Sequence, residues 1–192
     1  MTDASSHLLR VDLQRSLRHS GIHPEDLSEF QRILLTTDGM VTEMLEAFFW
    51  ERMTVVKLSQ DQTRIEEENL DLEIDEGTMV IKREILLQGK DSKINRLYAS
   101  SILVPERLDQ KMQDGLFKSK RPIGLLILED RLETFREILE CGNEPDPKAA
   151  VHFGLKPETP IIFRTYRVFA SRRPIMLITE KFPPGLGANG GR

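Results

Sequence analysis

TMVIKREILL (residues 78–87) and PIMLITEKF (residues 174–182) are the two stretches that decide how this chain folds. In the first, one parity reads Met79, Ile81, Arg83, Ile85, Leu87; in the second it reads Met176, Ile178, Glu180, Phe182. Side chains alternate faces along a strand, so each stretch reads as a strand with one buried face carrying a single charge. Arg83 and Glu180 are expected to point where their neighbours point, into a core. A charge taken out of water is costly unless something pairs with it or shifts its pKa. Two outcomes stay open at this point. The two charges pair with each other, or they line a buried polar pocket, which would mark an enzyme or a ligand-binding protein.

Outward from these strands, residues 94–104 follow the first across Gln88-Gly89-Lys90-Asp91-Ser92, and residues 161–170 precede the second across Ser171-Arg172-Arg173. Both read as β-hairpins. Residues 53–58 read as a short strand and 63–69 as polar, edge-like chain. Helical spacing is expected in 8–18, in a short helix after His23-Pro24-Glu25-Asp26, and from Thr37 or Asp38 through Phe49. Residues 105–112 read as a short helix, 129–139 as an amphipathic helix through Leu132, Phe135, Ile138 and Leu139, and 141–148 as a proline-rich loop. Helices come first and hairpins dominate the middle and end, without βαβ alternation. The expectation is α+β: an antiparallel β-sheet with helices packed around it, in one domain over 1–192, with 1–6 and 184–192 flexible.

A length of 192 residues suits one domain with a substantial core, and the net charge of −4 argues against a dedicated nucleic-acid binder. The single cysteine, Cys141, allows no intramolecular disulfide, and the N-terminus lacks the basic-then-apolar pattern of a signal peptide; a cytoplasmic protein is expected. No apolar run reaches membrane-spanning length. His7, His19, His23 and His152 show no metal-ligand spacing, Cys141 has no neighbouring histidine, and the glycines of GLGANGG precede no helix that could offer a phosphate. No cofactor, metal or obligate protein partner is indicated.

The constellation that remains is Arg83 and Glu180, with Arg164 and Arg167 from the neighbouring strand. A guanidinium offers a rigid fork suited to a carboxylate. A glutamate among Met176, Ile178 and Phe182 suits acid or hydrogen-bond-donor work. The backbone at Thr37-Asp38-Gly39-Met40, a helix start, can receive an anion or simply cap the helix. Arg121-Pro122-Ile123-Gly124 likewise joins a constrained turn to a permissive glycine.

Taken in order, TTDGM, KREILLQG, ILVPERL, KRPIG and RPIMLITEKF resemble the chorismate pyruvate-lyase (4-hydroxybenzoate synthase) family. LETFREI and RTYRVFASRRPIMLITEKF resemble its divergent branch outside the ubiquinone-making proteobacteria, and the resemblance spans about 33–182. It implies a chorismate lyase-like fold with an enclosed ligand, and cleavage of chorismate to 4-hydroxybenzoate and pyruvate without a cofactor. Arg83 would then grip the ring carboxylate with the backbone at Met40 and Ile123, and Glu180 would meet the ring hydroxyl. Arg164 or Arg167 would meet the enolpyruvyl carboxylate. The chain departs from the proteobacterial branch at Ser101, where that branch has arginine, and in a longer final hairpin.

The same architecture resembles the effector-binding domain of some winged-helix regulators. A stand-alone small-anion sensor is therefore the alternative to an enzyme. No winged helix or basic recognition helix is legible before residue 33.

Overall fold

The computed structural model describes residues 22–118 and 122–188. The helix expected in 8–18, His7, His19, Arg121 and residues 189–192 lie outside them. Six strands form one antiparallel sheet: β1 (Met53–Arg64), β2 (Met79–Gly89), β3 (Asn95–Leu103), β4 (Phe135–Pro145), β5 (Pro160–Ala170) and β6 (Arg173–Phe182). Their spatial order is β1-β2-β3-β6-β5-β4. The two hairpins expected from the sequence thus lie side by side, joined where β3 pairs with β6. Among the described residues five α-helices accompany the sheet: α1 (Glu29–Thr36), α2 (Val41–Phe49), α3 (Gln110–Lys118), α4 (Ile123–Glu129) and α5 (Pro147–Phe153). The fold is α+β, as the patterning implies. None of the described helices is long and apolar enough to cross a membrane.

Period-two alternation sorts the sheet into two faces. On one, Leu87, Leu97, Ala99 and Phe182 pack against Phe30 and Leu34 of α1 and Val41 and Leu45 of α2. On the same face Tyr166, Val168, Met176 and Ile178 pack against Met112 and Leu116 of α3 and Leu126 and Ile127 of α4. This is the parity of Arg83 and Glu180. The other face is covered more thinly, by Ile65, Leu72 and Ile74 over Val80 and Val104 and by Ala149 and Phe153 over Leu86 and Tyr98. Lys148 pairs with Glu84 and Lys181 with Asp146 across that second face.

Several local expectations are corrected. Residues 129–139 are not a helix. α4 ends at Glu129, Arg131 takes a left-handed φ of 49°, and β4 begins at Phe135. Phe135, Ile138 and Leu139 match a helical stripe, but β4 gains a full ladder with β5 and absorbs Leu139 at a bulge between Ile138 and Glu140. Residues 141–148 are not a loop: β4 runs on to Pro145, and Asp146 caps α5 by accepting the Ala149 N–H at 3.0 Å. Cys141 is consequently buried in a strand. Residues 53–58 and 63–69 are not separate pieces, because β1 is continuous to Arg64 with a bulge between Lys57 and Ser59. Residues 105–112 split into a 3₁₀ turn at Pro105–Arg107 and the start of α3. The N-cap of α2 is Met40, without a side-chain cap bond; the Thr37 hydroxyl instead accepts the Gly39 N–H at 2.9 Å.

Residues 184–188, expected to be loose, are held against α1. The Ser28 hydroxyl donates to the Leu186 carbonyl at 2.8 Å, and Leu186 is buried. The same hydroxyl accepts the Gln31 N–H, while the Gln31 side chain accepts the Ser28 N–H, which completes a capping box. Ser28→Ala removes the cap and the tail tether together. We expect a loss of about 1–2 kcal/mol, read as a lower urea midpoint with an unchanged m-value.

Candidate active site

Register places the charged residues on adjacent rungs running across the sheet. One rung is Arg83, Ser101, Ile178, Tyr166 and Ile138; the next is Ile85, Ala99, Glu180, Arg164 and Cys141. Arg83 and Glu180 are two strands and one rung apart, about 12 Å between α-carbons for ordinary strand spacing. Both are buried, at 2% and 7% exposure. They line one cavity.

Helix starts form the opposite wall. Gly39, Met40, Val41 and Thr42 enter it from the beginning of α2, and Pro122, Ile123 and Gly124 from the beginning of α4. The two starts touch: a β-carbon on Gly124 would come within 3.2 Å of the Met40 sulfur. The remaining walls include Ile85, Leu87, Leu97, Ala99, Ile127 and Val168, so a few polar groups face a largely apolar space.

The ion pair lies elsewhere than between the two signature charges. Glu180 pairs with Arg164, its direct cross-strand neighbour, whose Nε donates at 2.8 Å. Tyr166 donates its hydroxyl to the other Glu180 oxygen at 3.0 Å. Arg164 also donates to the Thr37 carbonyl at 2.7 Å, tying the sheet to the loop that walls the cavity. At 1% exposure, burial works against the Arg164 charge, but Glu180, Tyr166 and Cys141 together outweigh it and its pKa is raised. Burial, reinforced by Glu180, pushes the Tyr166 hydroxyl well above its usual range, so it stays a donor. Burial lowers the Arg83 pKa, though a guanidinium starts high enough to remain charged.

Of the sequence-derived candidates, Met40, Arg83, Ile123 and Glu180 meet at the cavity. Arg164 stands behind Glu180 as its partner. Arg167 lies on the other face, donating to Glu137 at 2.6 Å and to the Asp71 carbonyl at 3.0 Å. Alternation along β5 puts 164 and 167 on opposite faces. Two further titratable residues join the wall, Tyr166 and Arg136. Tyr166 shares the parity of Arg164 and was legible; Arg136 was hidden by the helical reading of its segment.

The sequence profile described as "Chorismate pyruvate-lyase Rv2949c-like" matches residues 35–189. The chain belongs to this family. A chorismate pyruvate-lyase of Mycobacterium leprae is 29% identical over 153 residues, covering 79% of this chain and 72% of that protein. A chorismate pyruvate-lyase of Mycobacterium tuberculosis H37Rv is 30% identical over 105 residues, 54% of this chain and about half (52%) of that relative's length. Among solved structures, PhnF of Mycobacterium smegmatis superposes with a TM-score of 0.59 at 13% identity, covering 90% of this chain and 85% of that one. The C-terminal domain of the histidine utilization repressor of Pseudomonas syringae pv. tomato gives 0.52 at 16% identity, covering 70% and 93%. At such identities these two share the fold with this family member, and nothing finer.

Removing one member of a buried ion pair leaves the other charge uncompensated. Arg164→Leu is expected to cost about 3–5 kcal/mol, whereas Arg164→Leu with Glu180→Leu should recover most of that. A double-mutant cycle on urea unfolding checks it; additive losses would show that the pair is not coupled.

Proposed function

We propose that this chain, acting as one domain around the cavity, removes pyruvate from chorismate to give 4-hydroxybenzoate, with no cofactor. The observation that carries the reading is the placement of buried Arg83 and Glu180 in one largely apolar cavity of a chain from this family. Chorismate carries a ring carboxylate and, opposite it, a hydroxyl-bearing C4; C3 bears the enolpyruvyl ether. Arg83 holds the ring carboxylate, aided by the backbone at Met40 and Ile123. Glu180 receives the C4 hydroxyl, its own oxygens held in place by Arg164 and Tyr166.

In the reaction the C4–H bond breaks and its electron pair enters the ring. The C3–O bond then breaks, or does so together with it, and the proton released from C4 is taken up by the methylene carbon of the departing enolate, which becomes pyruvate. An aromatic ring forms, so the driving force lies in the substrate. The protein's work is to hold a dianion in the reactive conformer and stabilise the charge that shifts to the leaving oxygen. A largely apolar wall strengthens each polar contact made inside it.

Purified protein mixed with chorismate is expected to release pyruvate and 4-hydroxybenzoate in equal amounts, followed by a coupled pyruvate assay and the ultraviolet signature of the aromatic product. Tight binding without turnover would overturn the lyase and favour the sensor. A charge-assisted hydrogen bond contributes roughly 1.5–3 kcal/mol, so Arg83→Ala should lower kcat/KM by about 10- to 100-fold. Glu180→Gln should lower kcat in protein that circular dichroism shows to be folded, and it also costs stability by removing the partner of Arg164. Normal turnover by either variant would sink the assignment of that residue.

A further inference from the structure

We propose that Arg136 receives the second carboxylate of the substrate, the one on the enolpyruvyl arm. The inference rests on the lyase reading and adds a residue to it. A dianionic substrate needs two anion sites in the pocket, and Arg83 serves only one.

The neighbouring arginines are already committed. Arg164 is spent on Glu180 and the Thr37 carbonyl, and it lies behind the wall. Arg167 is on the far face of the sheet with Glu137. Arg136 differs on both counts. It lines the cavity, placed there by the pairing of β4 with β5 that sets it opposite Val168, itself a wall residue. Among the described residues it makes no ion pair; its guanidinium donates to the carbonyl of Asp38. Five N–H donors belong to a guanidinium, so that bond leaves the rest of the fork for an anion.

Position along the pocket agrees with the substrate's geometry. Strand order sets Arg136, on β4, two strands from Glu180 on β6 and four strands from Arg83 on β2, so it lies on the Glu180 side of the pocket. The enolpyruvyl ether sits on the ring carbon next to the one bearing the hydroxyl. With the ring carboxylate on Arg83 and the hydroxyl on Glu180, the arm must leave the ring near Glu180. Arg136 is half-exposed on the edge strand, where an arm leaving the ring can reach its guanidinium. The Asp38 carbonyl belongs to the loop that starts α2, so one guanidinium would touch both the arm and the wall that closes over the ring.

The test compares a ligand that has the arm with one that lacks it. Wild type, Arg136→Gln and Arg136→Lys are assayed for pyruvate release from chorismate, and their affinities for chorismate and for 4-hydroxybenzoate are measured by calorimetry. Arg136→Gln should lower kcat/KM for chorismate by about 10- to 100-fold and leave 4-hydroxybenzoate binding within about twofold of wild type. Arg136→Lys should restore part of the loss. Arg83→Ala, by contrast, should weaken both ligands. Normal chorismate kinetics in Arg136→Gln would overturn the proposal. Equal loss of both ligands would also overturn it, because it would assign Arg136 to holding the 37–40 loop. A wild-type protein that binds chorismate without turnover would defeat the lyase reading alone, and the two affinities would still judge Arg136. Absence of chorismate binding to wild type would overturn both.

Discussion

The buried pair between Arg164 and Glu180 is the constraint on which the rest of the site depends. Each ion surrenders its water, a loss of several kcal/mol that only close pairing and full hydrogen bonding can offset. The structure supplies both. The pair closes at 2.8 Å, Tyr166 satisfies the second carboxylate oxygen, and the Thr37 carbonyl takes another donor of Arg164. Antiparallel register sets the two residues directly opposite each other on β5 and β6, so neither strand needs to distort. Through Thr37 the same pair fastens the 37–40 loop to the sheet, and that loop supplies Gly39 and Met40 to the cavity wall. Loss of the pair would therefore loosen a wall as well as misplace a carboxylate.

This arrangement also alters the chemical character expected of Glu180. Patterning alone suggested an acid or hydrogen-bond donor, because its strand neighbours are apolar. A carboxylate that already accepts from a guanidinium and a phenol offers remaining lone pairs to a ligand, so its natural partner is a hydroxyl that donates. Tyr166 reinforces the point: burial keeps its own proton in place, so it can only hold Glu180. On the proposed function Glu180 orients a substrate hydroxyl, and catalysis leans on geometry more than on proton transfer.

How much of this was legible in the sequence follows from what alternation can and cannot encode. One charge in an apolar parity announces itself, so Arg83 and Glu180 were readable one strand at a time. Which of them pairs with what depends on strand order and register, and neither is written in a single strand's pattern. Glu180 therefore found Arg164, from its own hairpin, and not Arg83 from the other one. Arg136 was lost for a different reason. Leu132, Phe135, Ile138 and Leu139 fall at helical spacing, and the strand that actually forms obscures its own period by a bulge at Leu139. The Pro145-Asp146-Pro147 run misled similarly: its prolines end a strand and begin a helix one residue apart, which in sequence looks like a loop.

On the proposed function, charge balance bears on selectivity. Arg83 and Arg136 line the cavity with one carboxylate, Glu180, and that carboxylate is already partnered by Arg164. A charged group in apolar surroundings is costly unless it is matched, so arginines in this wall suit an anionic ligand. Chorismate would bring two carboxylates on one molecule, one for each of the arginines assigned above. After cleavage the charges would part, one on 4-hydroxybenzoate and one on pyruvate, so each product would keep only one of the two contacts that held the substrate. A site matched to the dianion therefore holds either monoanion less firmly, and release of the products follows from the same contacts that bind the substrate.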